Sequence, residues 1–246
     1  MVVLVTGAGR GIGAAVARAL AARGDAVAVN YRGDAQAAQD VVREIERAGG
    51  RAVALPGDVA QEADVVRLFD AAEQQLGPVE GLVNNAGITG GFARVAELRA
   101  DVLAQVLAVN VAGTILCARE AVRRMSSKRG AAGGAIVNLS SLAARIGGAG
   151  EWVHYAASKG AVETFTRGLA REVAAEGIRV NAVAPGLIET ELHARAGDER
   201  RLERLAPGVP MQRAGSADEV AAAVVWLLSP AASYVTGTVL DVGGGR

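Results

Sequence analysis

The chain has 246 residues, 51% of them hydrophobic, with 26 basic and 26 acidic side chains and no net charge at pH 7. That is enough apolar material for one large α/β core and too much for a disordered chain. A balanced charge without runs of one sign removes the pull toward phosphate that a nucleic-acid or anionic-membrane binder needs, and the single Cys117 allows no disulfide within the chain, as expected of a cytoplasmic protein.

Val2-Val3-Leu4-Val5 opens the chain as a buried strand over 2–6, and a glycine-rich turn follows at once, leaving no room for a removable presequence. An Ala-rich helix is expected over 12–23, then a strand at 26–31, a helix at 34–48, a strand at 51–56, a helix at 61–76 and a strand at 79–84. A long helix at 98–127, a strand at 134–140, a helix at 153–176 and a strand at 178–184 continue the alternation. A helix at 216–229 and a strand at 237–242 close it. Gly24, Gly49-Gly50, Gly77-Pro78 and Gly177 punctuate the helix ends. Short Val/Ile-rich runs between amphipathic helices predict a Rossmann-type doubly wound parallel sheet of about seven strands, with helices on both faces, as a single domain spanning 1–246. Ligands of such sheets lie outside the carboxyl ends of the strands. No apolar run is read as long enough to span a membrane. Residues 187–214, rich in Arg and Glu with Pro207, Gly208 and Pro210, fit no strand pattern and are expected to form a substrate lid.

The turn after the first strand reads Thr6-Gly7-Ala8-Gly9-Arg10-Gly11-Ile12-Gly13. Gly7, Gly11 and Gly13 let the backbone turn sharply and approach a pyrophosphate, and Ile12 opens a helix whose free N–H groups favour negative charge. Strand, turn and helix in this order point to dinucleotide binding over a merely structural turn. The second strand ends in Asn30-Tyr31-Arg32, without a carboxylate for a ribose 2′-hydroxyl, and Arg10 and Arg32 together suit a 2′-phosphate. NADP(H) is therefore favoured over NAD(H), although Asp34 could meet a ribose.

Tyr155 and Lys159 stand four residues apart, on one face of a helix. A nearby ammonium stabilises a phenolate, so the pair suits general acid–base work near neutral pH. Only Lys128 and Lys159 are lysines, against 24 arginines. A compact point charge at this position is a choice the rest of the chain does not make.

At these residues the sequence resembles the short-chain dehydrogenase/reductase family, particularly its glucose 1-dehydrogenase-like and 3-oxoacyl-carrier-protein reductase-like members. The resemblance spans nearly the whole chain. Besides the glycine turn and Tyr155-x-x-x-Lys159 it includes Asp58 after the third strand, Asn84-Asn85-Ala86-Gly87 after the fourth and Asn110 in the fourth helix. Asn138-Leu139-Ser140-Ser141 closes the fifth strand, and Pro185-Gly186 with Thr190 follows the sixth. The resemblance implies that Tyr155 exchanges a proton with the substrate oxygen, that Ser141 positions that oxygen, and that Lys159 lowers the phenol pKa and contacts the nicotinamide ribose. Asn110 would hold a water linked to Lys159. It further implies that Asp58 and Val59 flank the adenine, that Asn85, Ala86 and Gly87 line the cofactor cleft, and that Ile188 and Thr190 hold the carboxamide. The implied assembly is a homotetramer built through helices 98–127 and 153–176.

The family's usual serine-to-tyrosine spacing of thirteen lands here on Leu142, so a one-residue insertion in the 147–154 loop is inferred and Ser141 is preferred to Ser140. His154 and His193 have no partners at metal-ligand spacing, so no metal is expected. Trp152 could wall the substrate pocket or fill core, and Arg145 or Arg195 could meet an anionic tail. An NAD-linked sugar or alcohol dehydrogenase, and a dinucleotide-binding redox sensor without catalysis, remain the alternatives at this stage.

Overall fold

The computed structural model describes residues 1–190 and 200–246. Seven parallel strands form one sheet in the order β3-β2-β1-β4-β5-β6-β7. The strands are β1 (Val2–Val5), β2 (Ala26–Tyr31), β3 (Arg51–Pro56), β4 (Val79–Asn84), β5 (Gly134–Leu139), β6 (Ile178–Pro185) and β7 (Val239–Val242). The order reverses direction at β1 and β4, whose carboxyl ends therefore part and leave a crevice between the loops that follow them. β1 is apolar throughout, and it and β4 are buried at every position but Glu80 because both faces of the sheet are covered.

One face of the sheet carries α1 (Gly11–Ala22) and α2 (Ala35–Arg47), and the other α3 (Glu62–Leu76). The second face also holds α4 (Ala100–Leu107) and α5 (Thr114–Met125), joined by a π-helical turn at Ala108–Gly113. The chain then forms the short α6 (Ala143–Ile146), the long α7 (Val153–Val173), α8 (Arg201–Leu205) and α9 (Ala217–Leu228). Ala14, Ala15 and Ala17 let α1 lie close to α9, where Leu20 and Leu227 are fully buried. Each such leucine contributes about 1.5–3 kcal/mol by leaving water.

Two features depart from the sequence expectation. The helix expected over 98–127 is interrupted by the π-turn, which adds a residue to one coil and turns Asn110 fully inward. Secondly, Ala100–Met125 is a 26-residue helical stretch with a window of mean hydropathy 1.7, so one helix is long and apolar enough to cross a membrane. Its inner face packs as a core helix does, with Val109, Cys117, Ala118, Ala121 and Met125 buried in the core between this stretch, the sheet and α3. Cys117 lies in this core, and burial pushes its thiol up to about 12, an inert side chain.

The central part of the segment expected as a lid, with His193 and Arg195, lies outside the described residues. At its described ends Ile188 bridges Gly215, and Leu187, Val209 and Ala214 form a small apolar cluster on which Leu202 and Leu205 of α8 pack. A capping box between Ser216 and Glu219 then starts α9, and Arg213 pairs with the same carboxylate at 2.6 Å.

Candidate active site

The crevice at the carboxyl edge is a cleft of about 1010 Å³. Its first half is built by side chains that tie strand ends together. Thr6 Oγ1 accepts from the backbone N–H groups of Asn85 and Ala86, both at 3.0 Å, and Asn85 Nδ2 donates to the carbonyls of Thr6 at 2.9 Å and Gly7 at 3.0 Å. Asn30 Oδ1 accepts from Gly7 N, while its Nδ2 donates to Leu55 O in the neighbouring strand and to Gly57 O just beyond it. Three turns are thereby locked to one another. The sequence showed Asn30 only as the end of a strand; its place beside a glycine turn was the available signal for this bracing.

Gly7 takes a φ of +61°, and a Cβ there would lie 3.0 Å from Ala86 Cα, so neither the conformation nor the space admits a larger residue. Gly7, Arg10, Gly11 and Ile12 line the cleft. Gly13, expected to bind the cofactor, is not among the residues that line the cleft. It lies beneath the turn, where a Cβ would stand 2.5 Å from Asn85 Nδ2 and 2.7 Å from Gly7 O, and is a packing glycine that lets the turn and the β4 loop meet. The N-terminus of α1 has no side-chain cap, so its N–H groups stay free for an anion. Thr190 reaches over the same place, with its Cγ2 3.6 Å from the position of a Cβ on Gly11.

Tyr31, Arg32, Asp58 and Val59 form the far end of this half. Arg10 stands 3.8 Å from Asp34 and Arg32 3.8 Å from Asp58, and both guanidinium groups are about half exposed, so each is loosely held. Asp34 Oδ1 caps α2 by accepting from Ala37 N at 3.1 Å. Asn85, Ala86 and Gly87 line the middle, with Pro185, Gly186 and Ile188 opposite. A cleft with free helix N–H groups at its waist and two loosely held arginines at one end fits an extended, phosphate-bearing dinucleotide.

Tyr155, Lys159 and Ser141 meet at the other side of that waist. Ser141 Oγ accepts from Ala143 N at 3.1 Å and hydrogen-bonds the phenol of Tyr155. Ser140 turns the opposite way, as alternation along a strand requires: its hydroxyl donates to Lys159 O and to the buried Glu163 at 3.1 Å. Lys159 Nζ donates to Leu139 O at 2.6 Å and lies 5.8 Å from the centre of the Tyr155 ring.

Burial pushes the Tyr155 phenol up to about 12, against which the Ser141 hydrogen bond pulls it back, and burial pushes Lys159 down to about 8. Here the structure differs from the expectation that the lysine charge dominates the phenol. The ammonium is committed to a carbonyl at the end of β5, and removal from water is the larger effect on both groups.

Asn110 is fully buried and is not part of the cleft wall. Its Oδ1 accepts from Ile88 N and its Nδ2 donates to Ile88 O and Ser158 Oγ, each at 2.9 Å. The side chain expected to hold a water thus bonds three protein groups, using both Nδ2 hydrogens and one acceptor site of Oδ1. It braces the loop after β4 against α7, and a Cβ on Gly87 would lie 3.4 Å from both Asn110 Oδ1 and Lys159 Nζ.

Beyond Tyr155 the wall becomes apolar, with Leu142, Ile146, Trp152 and Leu187. Trp152 is buried, stacks on Phe92 with ring centres 4.9 Å apart and tilts against Tyr155 at 5.6 Å. His154 is buried too, with Nε2 2.8 Å from Thr89 O. Arg145 is exposed and pairs with Asp241. Arg201 and Arg246, not singled out in the sequence, also line this half. Among the described residues no cluster of three or more His, Cys, Asp or Glu side chains is arranged to hold a metal ion.

Residues 7–246 match the family model described as enoyl-(acyl carrier protein) reductase. The chain is 53% identical over 245 residues to the uncharacterized oxidoreductase YgfF of Escherichia coli (strain K12), covering 100% of this chain and 99% of that protein. It is 43% identical to 3beta-hydroxysteroid dehydrogenase 1 of Eggerthella lenta, covering 99% and 92%. The crystal structure of a dehydrogenase/reductase from Sinorhizobium meliloti 1021 superposes with a TM-score of 0.92 at 36% identity, covering 99% of this chain and 94% of that one.

Proposed function

The chain belongs to the short-chain dehydrogenase/reductase family and is an NAD(P)-dependent oxidoreductase acting on CH–OH groups; from that premise we propose that it interconverts a carbonyl and a secondary alcohol on a small or medium substrate, with Tyr155 as the general acid and base and NADP(H) as the preferred cofactor. The observation that carries this reading is the contact of Ser141 with the Tyr155 phenol at the waist of the cleft, with Lys159 beside it. The dinucleotide supplies the hydride in reduction and accepts it in oxidation. Gly7, Gly11 and Ile12 receive its pyrophosphate at the start of α1, Asp58 and Val59 flank the adenine, and Ile188 and Thr190 face the nicotinamide end.

In reduction Tyr155 gives its proton to the substrate oxygen as negative charge develops there. Ser141 can donate to that oxygen because its own lone pair is already engaged by Ala143 N. The phenolate left behind is stabilised by the positive charge of the Lys159 ammonium beside it, which offsets the burial that otherwise keeps the phenol protonated. Asn110 acts through position, holding the β4 loop against the helix that carries Tyr155 and Lys159. Arg10 and Arg32, with only distant carboxylates for company, support a 2′-phosphate.

Trp152 and the apolar wall favour a substrate with a hydrocarbon body, in keeping with the relative named as a 3beta-hydroxysteroid dehydrogenase. We read residues 187–214 as the lid, since Leu187, Thr190 and Arg201 all reach the cleft. Leu107 and Ile115, exposed on the long helical stretch, support a subunit contact and hence a homotetramer, which light scattering would measure. The lone buried thiol supports a cytoplasmic setting.

The test follows nicotinamide absorbance with NADPH and then NADH across a panel of cyclic and open-chain ketones. The expected result is turnover that falls about 10²–10⁴-fold in Tyr155→Phe while the dinucleotide dissociation constant stays unchanged. Tight dinucleotide binding with no turnover on any member, or equal turnover in the variant, would overturn the assignment.

A further inference from the structure

Among the described residues a single buried side-chain polar atom has no hydrogen-bond partner, the Nε of Arg201. Arg201 is 5% exposed and lines the substrate half of the cleft. Its guanidinium lies 4.5 Å from the centre of the Trp152 ring and 5.6 Å from that of Phe92. Nη1 donates to Glu151 at 2.5 Å, and Glu151 does not line the cleft. One edge of the fork is thus fixed from outside the cavity while the Nε–H is withheld from both water and protein. A buried N–H of this kind costs about 1–3 kcal/mol, and more on a charged group, until an acceptor arrives.

The charges lining the cleft are unevenly divided. Among the described residues the acidic ones that line it, Asp34 and Asp58, stand at the Arg10 and Arg32 end, whereas the described residues beyond Tyr155 include Arg201 and Arg246 and no carboxylate. Trp152 contacts both functional points, its ring centre lying 5.6 Å from that of Tyr155 and 4.5 Å from the Arg201 guanidinium. A molecule reacting at Tyr155 and extending along the indole therefore ends at a guanidinium.

We propose that Arg201 is a specificity-determining residue, and that the substrates are oxo- or hydroxy-carboxylates in which an apolar body separates the reacting carbon from a carboxylate docked on Arg201. The inference rests on the reading of the site as that of a carbonyl reductase. The planar fork suits a carboxylate better than a point charge would, and its stacking on Trp152 fixes its plane before the substrate enters. Shifting of the fork about its Glu151 contact brings the Nε edge to the ligand and satisfies the orphan donor.

Binding and turnover are measured separately. Trp226 is the only other tryptophan and is 41% exposed, so in the full-length Trp226→Phe protein emission reports Trp152. Titration with cyclohexanecarboxylate and with cyclohexanecarboxamide, each with and without NADP+, should show the carboxylate binding at least about tenfold tighter. That preference should vanish in Arg201→Met, fall to an intermediate value in Arg201→Lys and survive in Arg246→Ala. Equal binding of the two probes, or loss of the preference in Arg246→Ala alone, overturns the proposal without any call on activity. Turnover of 4-oxopentanoate, 5-oxohexanoate and 6-oxoheptanoate against their methyl esters supplies the second arm. A higher kcat/KM for the acids at one chain length supports the assignment; esters and acids turned over alike by Tyr155 would sink it while leaving the reductase reading intact.

Discussion

The two halves of the cleft are made in different ways. The half that fits the dinucleotide is main chain held by side chains: Thr6, Asn30 and Asn85 each bond backbone groups of a neighbouring turn, so the wall is fixed by the sheet itself. The substrate half is side chains held by one another, with Phe92 from the loop after β4, Trp152 from the start of α7 and Arg201 from the first turn of α8 brought together. A wall of strand ends keeps its shape under substitution elsewhere, whereas a stack of side chains on loops can be altered one residue at a time. The difference teaches why a common reaction can be kept while its substrate changes.

Ser140 and Ser141 test that division most severely, because they are adjacent and lie on opposite sides of it. Ser141→Ala should lower kcat by about 10²-fold or more, the effect of removing one donor from a developing oxyanion, with little change in melting temperature. Ser140→Ala should do the reverse. It leaves the buried Glu163 without the hydroxyl that donates to it and costs about 1–3 kcal/mol of stability. Steady-state kinetics and thermal melts on both variants decide the matter, and exchanged phenotypes would move the role to Ser140.

The dinucleotide half can be probed at its outer end. Arg32→Ser and Arg10→Ser should each reduce the preference for NADPH over NADH by about tenfold, the equivalent of one charge-assisted hydrogen bond of about 1.4 kcal/mol. Because the two arginines flank one site, the double variant should lose less than the product of the single effects. Unchanged ratios of kcat/KM for the two cofactors would instead give the ribose to Asp34, which lines the same end.

Legibility in the sequence follows the same divide. The parallel sheet could be read because β-rich runs and amphipathic helices alternate with glycine stops, and the glycine turn, Tyr155 and Lys159 could be read because they act at fixed spacings along a single element. Asn110 could be located but its contacts could not, since a π-turn leaves no trace in apolar periodicity. Arg201 was invisible among 24 arginines. Its burial depends on Phe92 and Trp152, far away in sequence, and no local pattern encodes such a meeting. Gly13 was legible as a glycine of the turn, while its close approach to Asn85, a contact between distant strands, was not.

That contact gives a prediction about stability rather than chemistry. Gly13→Ala places a methyl group where Asn85 Nδ2 and Gly7 O already stand, and overpacking of this kind costs about 1–3 kcal/mol. For a chain of this length the melting temperature should fall by about 2–4 °C per kcal/mol. Because the methyl group presses on the bond between the turn and the β4 loop, dinucleotide affinity should fall with it. A variant that melts early yet binds NADPH normally would show that the two turns do not act as one wall.

The smallest effect lies where the halves join. Lys159 titrates near 8 in the folded chain against an ordinary value of 10.5, so between those values the unfolded chain binds more protons than the folded one and stability must rise with pH. The burial cost of the ammonium is fully present below about pH 8 and is relieved above it, with a slope of at most about 1.4 kcal/mol per pH unit. Tyr155 does not blur this window, because its effect begins only above the ordinary phenol value of 10 and has the opposite sign, whereas Cys117, raised by burial from 9.0 to about 12, opposes the rise above pH 9. Denaturant titrations from pH 7.5 to 9 should show the rise in the parent chain and its absence in Lys159→Met. Turnover in the reductive direction should fall over the same interval, because the ammonium that stabilises the phenolate is being lost. Stability and activity moving in opposite directions with one proton would separate a charge kept buried for chemistry from one that serves only to hold the end of β5.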